Sequence, residues 1–184
     1  MLFRSGLVMQ KLFCGVYKER RVLITGHTGF KGSWFVTWLS QMGAKVLGYA
    51  LDPNTTPNHF SMLDMSIKSV IGDIRDGKNL SDVFKMFQPE IIFHLAAQPL
   101  VRLSYNEPVE TFQTNIMGTV NVFETCRQTP SVKAVINITS DKCYDNVEWC
   151  WGYKETDALG GKDIYSGSKA AAEVIFKSYY HSFF

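Results

Sequence analysis

Apolar positions along the chain fall into short dense runs, with longer stretches of helical spacing between them. Residues 22–25 (VLIT), 45–51 (KVLGYAL), 69–71 (SVI), 90–95 (EIIFHL) and 134–139 (AVINIT) read as short strands buried on both faces. Trp34, Phe35, Trp38, Leu39 and Met42 recur at helical spacing up to Gly43, a C-cap glycine. They predict a helix beginning at Trp34, with its tryptophans in the core. Leu80, Val83, Phe84 and Phe87 predict another, with Ser81 near its start and Pro89 stopping it. A long helix is expected from Pro108 or Val109 to about Gln128, and a last one from Tyr165 to about Tyr180. Residues 52–58 and 143–164 read as irregular, the former because Pro53 and Pro57 exclude helix.

Strand alternating with helix predicts the α/β class: a Rossmann-type doubly wound parallel sheet, right-handed in its crossovers, with strand order 3-2-1-4-5. A sixth strand finds no counterpart, so the domain is expected to be truncated before strand six and the substrate domain. Residues 1–18 lack a period and are expected to be an N-terminal extension, with Phe13 and Tyr17 packing as a flap. Residues 19–184 are expected to form one dinucleotide-binding domain.

Three glycines spaced by three, Gly26, Gly29 and Gly32, follow the first strand and precede the first helix. Gly26 permits a tight exit turn, Gly29 lets a backbone approach a diphosphate, and Gly32 lets helix and strand touch. The helix start adds free N–H groups and a positive dipole end. Ligands of such sheets bind at the carboxyl ends of the strands, where strand order reverses. That rule gathers Gly26, Thr28, Gly29, Phe30, Lys31 and Gly32 with Asp73 and Ile74 after strand three. Across the crevice it sets Leu95, Ala96, Ala97 and Gln98 after strand four. The acidic residue that usually binds the adenosine ribose would fall near Ala50, with Asp52 two positions on. Tyr165 and Lys169, four apart, share one helical face, and Ser140 ends strand five. Ser140 would hydrogen-bond a substrate oxygen, Tyr165 would accept its proton, and Lys169 would hold a ribose and ease the ionisation of the phenol.

Composition narrows the partners. Hydrophobic content of 46% and charged content of 20% are globular values and exclude disorder. A net charge of +2 gives no ground for nucleic-acid binding. No apolar run is long enough for a transmembrane span, and Arg4, Gln10 and Lys11 interrupt any leader. Cys14, Cys126, Cys143 and Cys150 show neither C-x-x-C nor zinc spacing, which suits a reduced, cytoplasmic protein. His27, His59, His94 and His181 show no ligand spacing, and no metal is expected.

The words GHTGFKGSW, LDPNTTPNHF, HLAAQPLVRLSY, TNIMGT, TSDKCYDN, EWCWGYKETDALGG and YSGSKAAAE occur in order, within a match that runs from about Phe13 to the last residue. Together they resemble the extended short-chain dehydrogenase/reductases, NAD-dependent epimerases and dehydratases, and among these the CDP-glucose 4,6-dehydratases. The resemblance implies NAD as cofactor, CDP-glucose as substrate, and a homo-oligomer engaged in cell-surface sugar biosynthesis. It also implies that Tyr165 removes the proton of the sugar 4-hydroxyl while hydride leaves C4, and that hydride later returns at C6. Asp141 would protonate the departing C6 hydroxyl, and Lys142 stands where the relatives keep the base that acts at C5. Asn115, in TNIMGT, would fix local backbone and water. Ser-Asp-Lys at 140–142 separates the chain from dTDP-glucose dehydratases, which carry Thr-Asp-Glu, and from epimerases, which lack the acid–base pair. Ile164 and Gly167 depart from the expected Pro and Ser. Another nucleotide-sugar dehydratase or epimerase, or a non-catalytic NAD-binding fragment, are the alternative readings.

Overall fold

The computed structural model describes residues 9–63 and 67–184. Five strands, β1 (Arg21–Thr25), β2 (Lys45–Ala50), β3 (Lys68–Ile71), β4 (Ile91–His94) and β5 (Ala134–Asn137), form one parallel sheet in the order 3-2-1-4-5. The helices are α1 (Phe30–Gln41), α2 (His59–Met62), α3 (Gly77–Phe87), α4 (Val101–Asn106), α5 (Pro108–Phe112), α6 (Gly118–Arg127) and α7 (Ile164–Phe183). Strand order is that expected from the alternation of periods.

Burial of β1 on both sides explains its uninterrupted apolar run. Val22 and Ile24 face α1, clustering with Val36, Leu39, Met42, Val46 and Phe93. Leu23 points to the opposite face, where Leu47, Tyr49 and Ile92 meet Leu80, Val83 and Phe84 of α3 and Val122 of α6. Two such layers against one sheet leave the carboxyl ends of β1 and β4 open above the core, where strand order reverses.

Several expectations are corrected. Helix α1 starts at Phe30, directly after Gly29, rather than at Trp34. Its buried face is Gly32, Ser33, Val36 and Leu39, so Trp34 and Trp38 turn outward, 55% and 38% exposed. Trp34 stacks on His59, ring centres 4.6 Å apart, and Trp38 meets Phe13 edge-on at 5.7 Å. The period was right and its phase was wrong, because close contact at Gly32 sets which side of α1 faces the sheet. Gly43 does end α1, at φ +83°, with Ala44 N–H donating back to the Leu39 carbonyl. The start of α3 is capped by Asp76, whose carboxylate accepts from Asn79 N–H at 3.0 Å, rather than lying near Ser81.

Two short helices, α2 and α4, lie where no helix was expected. The long helix exists as α5 and α6 joined through a π-helical turn, Gln113–Met117. In the extension expected over residues 1–18, Phe13 and Tyr17 do pack together, at 6.0 Å, and Tyr17 reaches Phe93 at 6.3 Å. The rest of that expectation, residues 1–8, lies outside the described residues. No described helix is long and apolar enough to cross a membrane.

Candidate active site

Gly26 leaves β1 at φ +77°, a backbone region that glycine enters without penalty. A Cβ there would lie 2.8 Å from the Ala96 nitrogen, and one on Gly32 would lie 2.1 Å from the Gly26 carbonyl oxygen. The first glycine thus lets the loops after β1 and β4 touch, and the third lets α1 begin directly over that turn. His27 is buried between them. Its Nε2 is 2.7 Å from Ser69 Oγ of β3, and its ring fills space that a side chain at Gly48 would need. Burial pulls His27 down to about 4, so the turn rests on a neutral ring. Helix α1 has no side-chain cap and no acidic residue in its first turn, leaving its leading N–H groups for an anion.

These elements bound a cleft of about 760 Å³ at the reversal of strand order. Gly26, Thr28, Gly29 and Phe30 line one wall; Asp73 and Ile74 close one end; Leu95, Ala96, Ala97 and Gln98 form the opposite wall. Lys31 and Gly32 stand outside it: Gly32 is packed behind the turn, and Lys31 borders a second, apolar cavity with Phe30, Trp34, Trp38 and Ile138. Ala50 and Asp52 both line the cleft, so the acidic group near strand two belongs to the loop rather than to the strand end. Thr28 Oγ1 donates to the Leu51 carbonyl at 2.9 Å and ties that loop to the glycine turn.

Sequence reasoning missed Arg75. Its guanidinium bonds Asp73 Oδ2 through Nε at 2.8 Å and Nη2 at 2.6 Å, its N–H bonds Oδ1 at 2.8 Å, and Nη1 reaches Glu110 at 3.2 Å. Burial raises the Asp73 pKa, but the Arg75 hydrogen bonds outweigh it and hold the carboxyl below its ordinary range. Asp73 therefore meets a ligand as an anion already paired with Arg75. The Asp-x-Arg spacing was the available signal.

The proposed catalytic group lies beyond the cleft, and neither Tyr165 nor Lys169 lines it. Ser140 Oγ accepts from Lys142 N–H at 3.3 Å and opens the short turn Asp141–Cys143 after β5. That turn packs on α7, and the Lys142 charge reaches Asp163, the α7 cap. Asp141 and Lys142 are exposed, while Tyr165 and Lys169 are buried on one side of α7. Lys169 Nζ lies 6.0 Å from the centre of the Tyr165 ring. Burial, with repulsion from Lys31, brings Lys169 down to about 8. Asn115 sits in the π-helical turn, accepts from Gln98 N–H at 2.8 Å and donates to Ser168 Oγ at 2.9 Å. It joins the cleft wall to α7. Among the described residues no cluster of His, Cys, Asp and Glu could hold a metal ion.

A doubly wound sheet with a glycine cradle and a Ser–Tyr–Lys group is the architecture of a dinucleotide-dependent enzyme domain. Residues 23–184 match the family model described as GDP-mannose 4,6 dehydratase, and the chain belongs to that family. It is 55% identical over 170 residues to the CDP-glucose 4,6-dehydratase of Salmonella typhimurium, a match covering 91% of this chain and 47% of that one. Among solved structures, the UDP-glucose 4-epimerase of Thermus thermophilus in complex with NAD superposes with a TM-score of 0.78 at 32% identity, over 89% of this chain and 51% of that one. The dTDP-glucose 4,6-dehydratase of Bacillus anthracis in complex with NAD gives a TM-score of 0.74 at 26% identity, over 89% and 51%. The chain spans about half the length of the relatives it matches.

Proposed function

We propose that this chain is the cofactor-binding half of an NAD-dependent 4,6-dehydratase that converts CDP-glucose to CDP-4-keto-6-deoxyglucose and water. The observation that carries the reading is the packing of the Ser140-Asp141-Lys142 turn against the helix bearing Tyr165 and Lys169. Likeness to the Salmonella enzyme supports the choice of substrate. The cleft fits NAD: its free helix start suits a diphosphate, and its glycines leave room where a Cβ would collide.

In this reading Ser140 hydrogen-bonds the sugar 4-oxygen and Tyr165 takes its proton, helped by the neighbouring Lys169 ammonium. Lys142 removes the C5 proton, which the adjacent 4-keto group has made acidic. Asp141 gives a proton to the C6 hydroxyl, which departs as water. The cleft would hold NAD to carry the hydride from C4 to C6, and Lys142 would return its proton to C5 as the hydride arrives, so no second substrate is consumed. The protein belongs in the cytoplasm, acts as a homo-oligomer and serves cell-surface polysaccharide assembly such as O-antigen and lipopolysaccharide; neither nucleic acid nor membrane is a partner. Incubating a protein of the relatives' full length with CDP-, dTDP-, UDP- and GDP-glucose tests this. The expected product is the 4-keto sugar of the CDP substrate, lighter by one water. A 4-epimer of unchanged mass would make it an epimerase. NAD binding without turnover of any of the four would make it a binding module.

A further inference from the structure

We propose that His94 is a positioning residue, fixed as the Nε2–H tautomer at the centre of a one-directional hydrogen-bond chain from β1 to the catalytic helix. Thr25 Oγ1 accepts the backbone N–H of Ala96 at 3.1 Å and shares that of Leu95, 3.2 Å away, with the Thr25 carbonyl. Its single proton therefore goes to His94 Nδ1, 2.7 Å away. On the other side of the ring, Nε2 lies 3.2 Å from Thr119 Oγ1, whose own proton goes to the Asn115 carbonyl at 2.7 Å. Nε2 must carry the imidazole proton. The Asn115 side chain then donates to Ser168 Oγ at 2.9 Å and to the Gln98 carbonyl at 3.1 Å, and Ser168 donates to the Tyr165 carbonyl at 2.7 Å. Thr25, His94, Thr119, Asn115 and Ser168 are all buried.

Because each hydroxyl has one proton to give, the chain runs in one direction only. A second proton on His94 would point Nδ1–H at an oxygen that already accepts twice, with no partner left for the Thr25 hydroxyl. The groups around the ring are Thr25 of β1, Thr119 of α6, Asn137, its register partner on β5, and Lys169 of α7; of these only Lys169 is charged. Burial first, then Lys169, brings His94 down to about 3. A neutral His94 leaves Lys169 as the local cation beside Tyr165.

The tautomer stands on geometry alone, whereas its effect on turnover rests on the dehydratase reading. Nitrogen NMR of the unsubstituted, histidine-labelled protein should show His94 protonated at Nε2 and unchanged from about pH 8 to about pH 5. An Nδ1–H tautomer, or titration near the ordinary histidine pKa, would overturn the chain. His94→Phe, which keeps the ring's bulk and breaks both bonds, should lower kcat at least about tenfold while the NAD Kd stays within about threefold. His94→Gln, whose amide offers one acceptor and one donor, should recover part of that loss. Parallel loss of NAD affinity and kcat, or no advantage of Gln over Phe, would remove the positioning role. If His94→Phe does not fold, the NMR result on the unsubstituted protein still decides. If that protein binds NAD but leaves CDP-glucose unchanged, the dehydratase reading fails while the tautomer result still decides the chain.

Discussion

Lys169 carries two demands that pull against each other. The proposed mechanism uses it as a cation beside Tyr165, yet it is buried and near Lys31, which brings it down to about 8. At neutral pH it remains mostly protonated, close to losing its proton and so sensitive to any further cation. Tyr165→Phe removes the proposed proton acceptor and should lower kcat by about 10²–10⁴ with no oxidation at C4. Asp141→Asn and Lys142→Met should keep C4 oxidation measurable in single turnover while slowing loss of water. Equal loss of both partial reactions in all three variants would refute this division of labour. The placement of Tyr165 and Lys169 on one side of a helix and of Ser140 after a strand was legible in the sequence, because helical spacing and the end of an apolar run are both visible there. Thr25, His94, Thr119 and Arg75 were not. Thr25, His94 and Thr119 meet one another across separate elements and carry no periodic signal, whereas Arg75 was overlooked although its partner Asp73 lies two positions away.

Helix α1 shows what an element's pattern hides. A stripe of large apolar residues named the helix correctly, but Gly32, Ser33, Val36 and Leu39 are the face that meets the sheet. The cue was the glycine, since only a residue without Cβ can approach the Gly26 carbonyl so closely. The two glycines at helix starts therefore predict opposite outcomes. Gly32→Ala should destabilise the protein by at least about 2 kcal/mol and weaken NAD binding, because its Cβ would meet backbone. A Cβ on Gly167, in the first turn of α7, meets nothing within 4 Å, so Gly167→Ala should stabilise by about 0.5–1 kcal/mol. Denaturant midpoints of the two variants check both, and a stable Gly32→Ala protein with unchanged NAD affinity would contradict the packing argument. The π-helical turn at Gln113–Met117 left no mark on the apolar period, so the long helix was read without the turn inside it.

At the scale of the molecule, the parallel sheet followed from alternating periods, since five buried strands linked by helices have few chirally allowed arrangements. Two neutral histidines, His27 at about 4 and His94 at about 3, lie inside this fold below their unfolded value of 6.5. The unfolded chain thus binds more protons below that value. Stability should be complete above about pH 7 and fall as pH drops below it, by up to about 2.7 kcal/mol per pH unit when both contribute. Paired carboxylates such as Asp73 add their loss only at lower pH. Urea midpoints at about pH 7 and about pH 5 test this, and equal values would contradict it. In the dehydratase proposed above, one site oxidises C4 and expels water across C5 and C6 of the same sugar. CDP-glucose carrying deuterium at C4, given to a protein of the relatives' full length, tests it in a single product spectrum. The expected product is a 4-keto-6-deoxy sugar with that deuterium at C6; deuterium back at C4, or lost to solvent, would rule out the proposed hydride path.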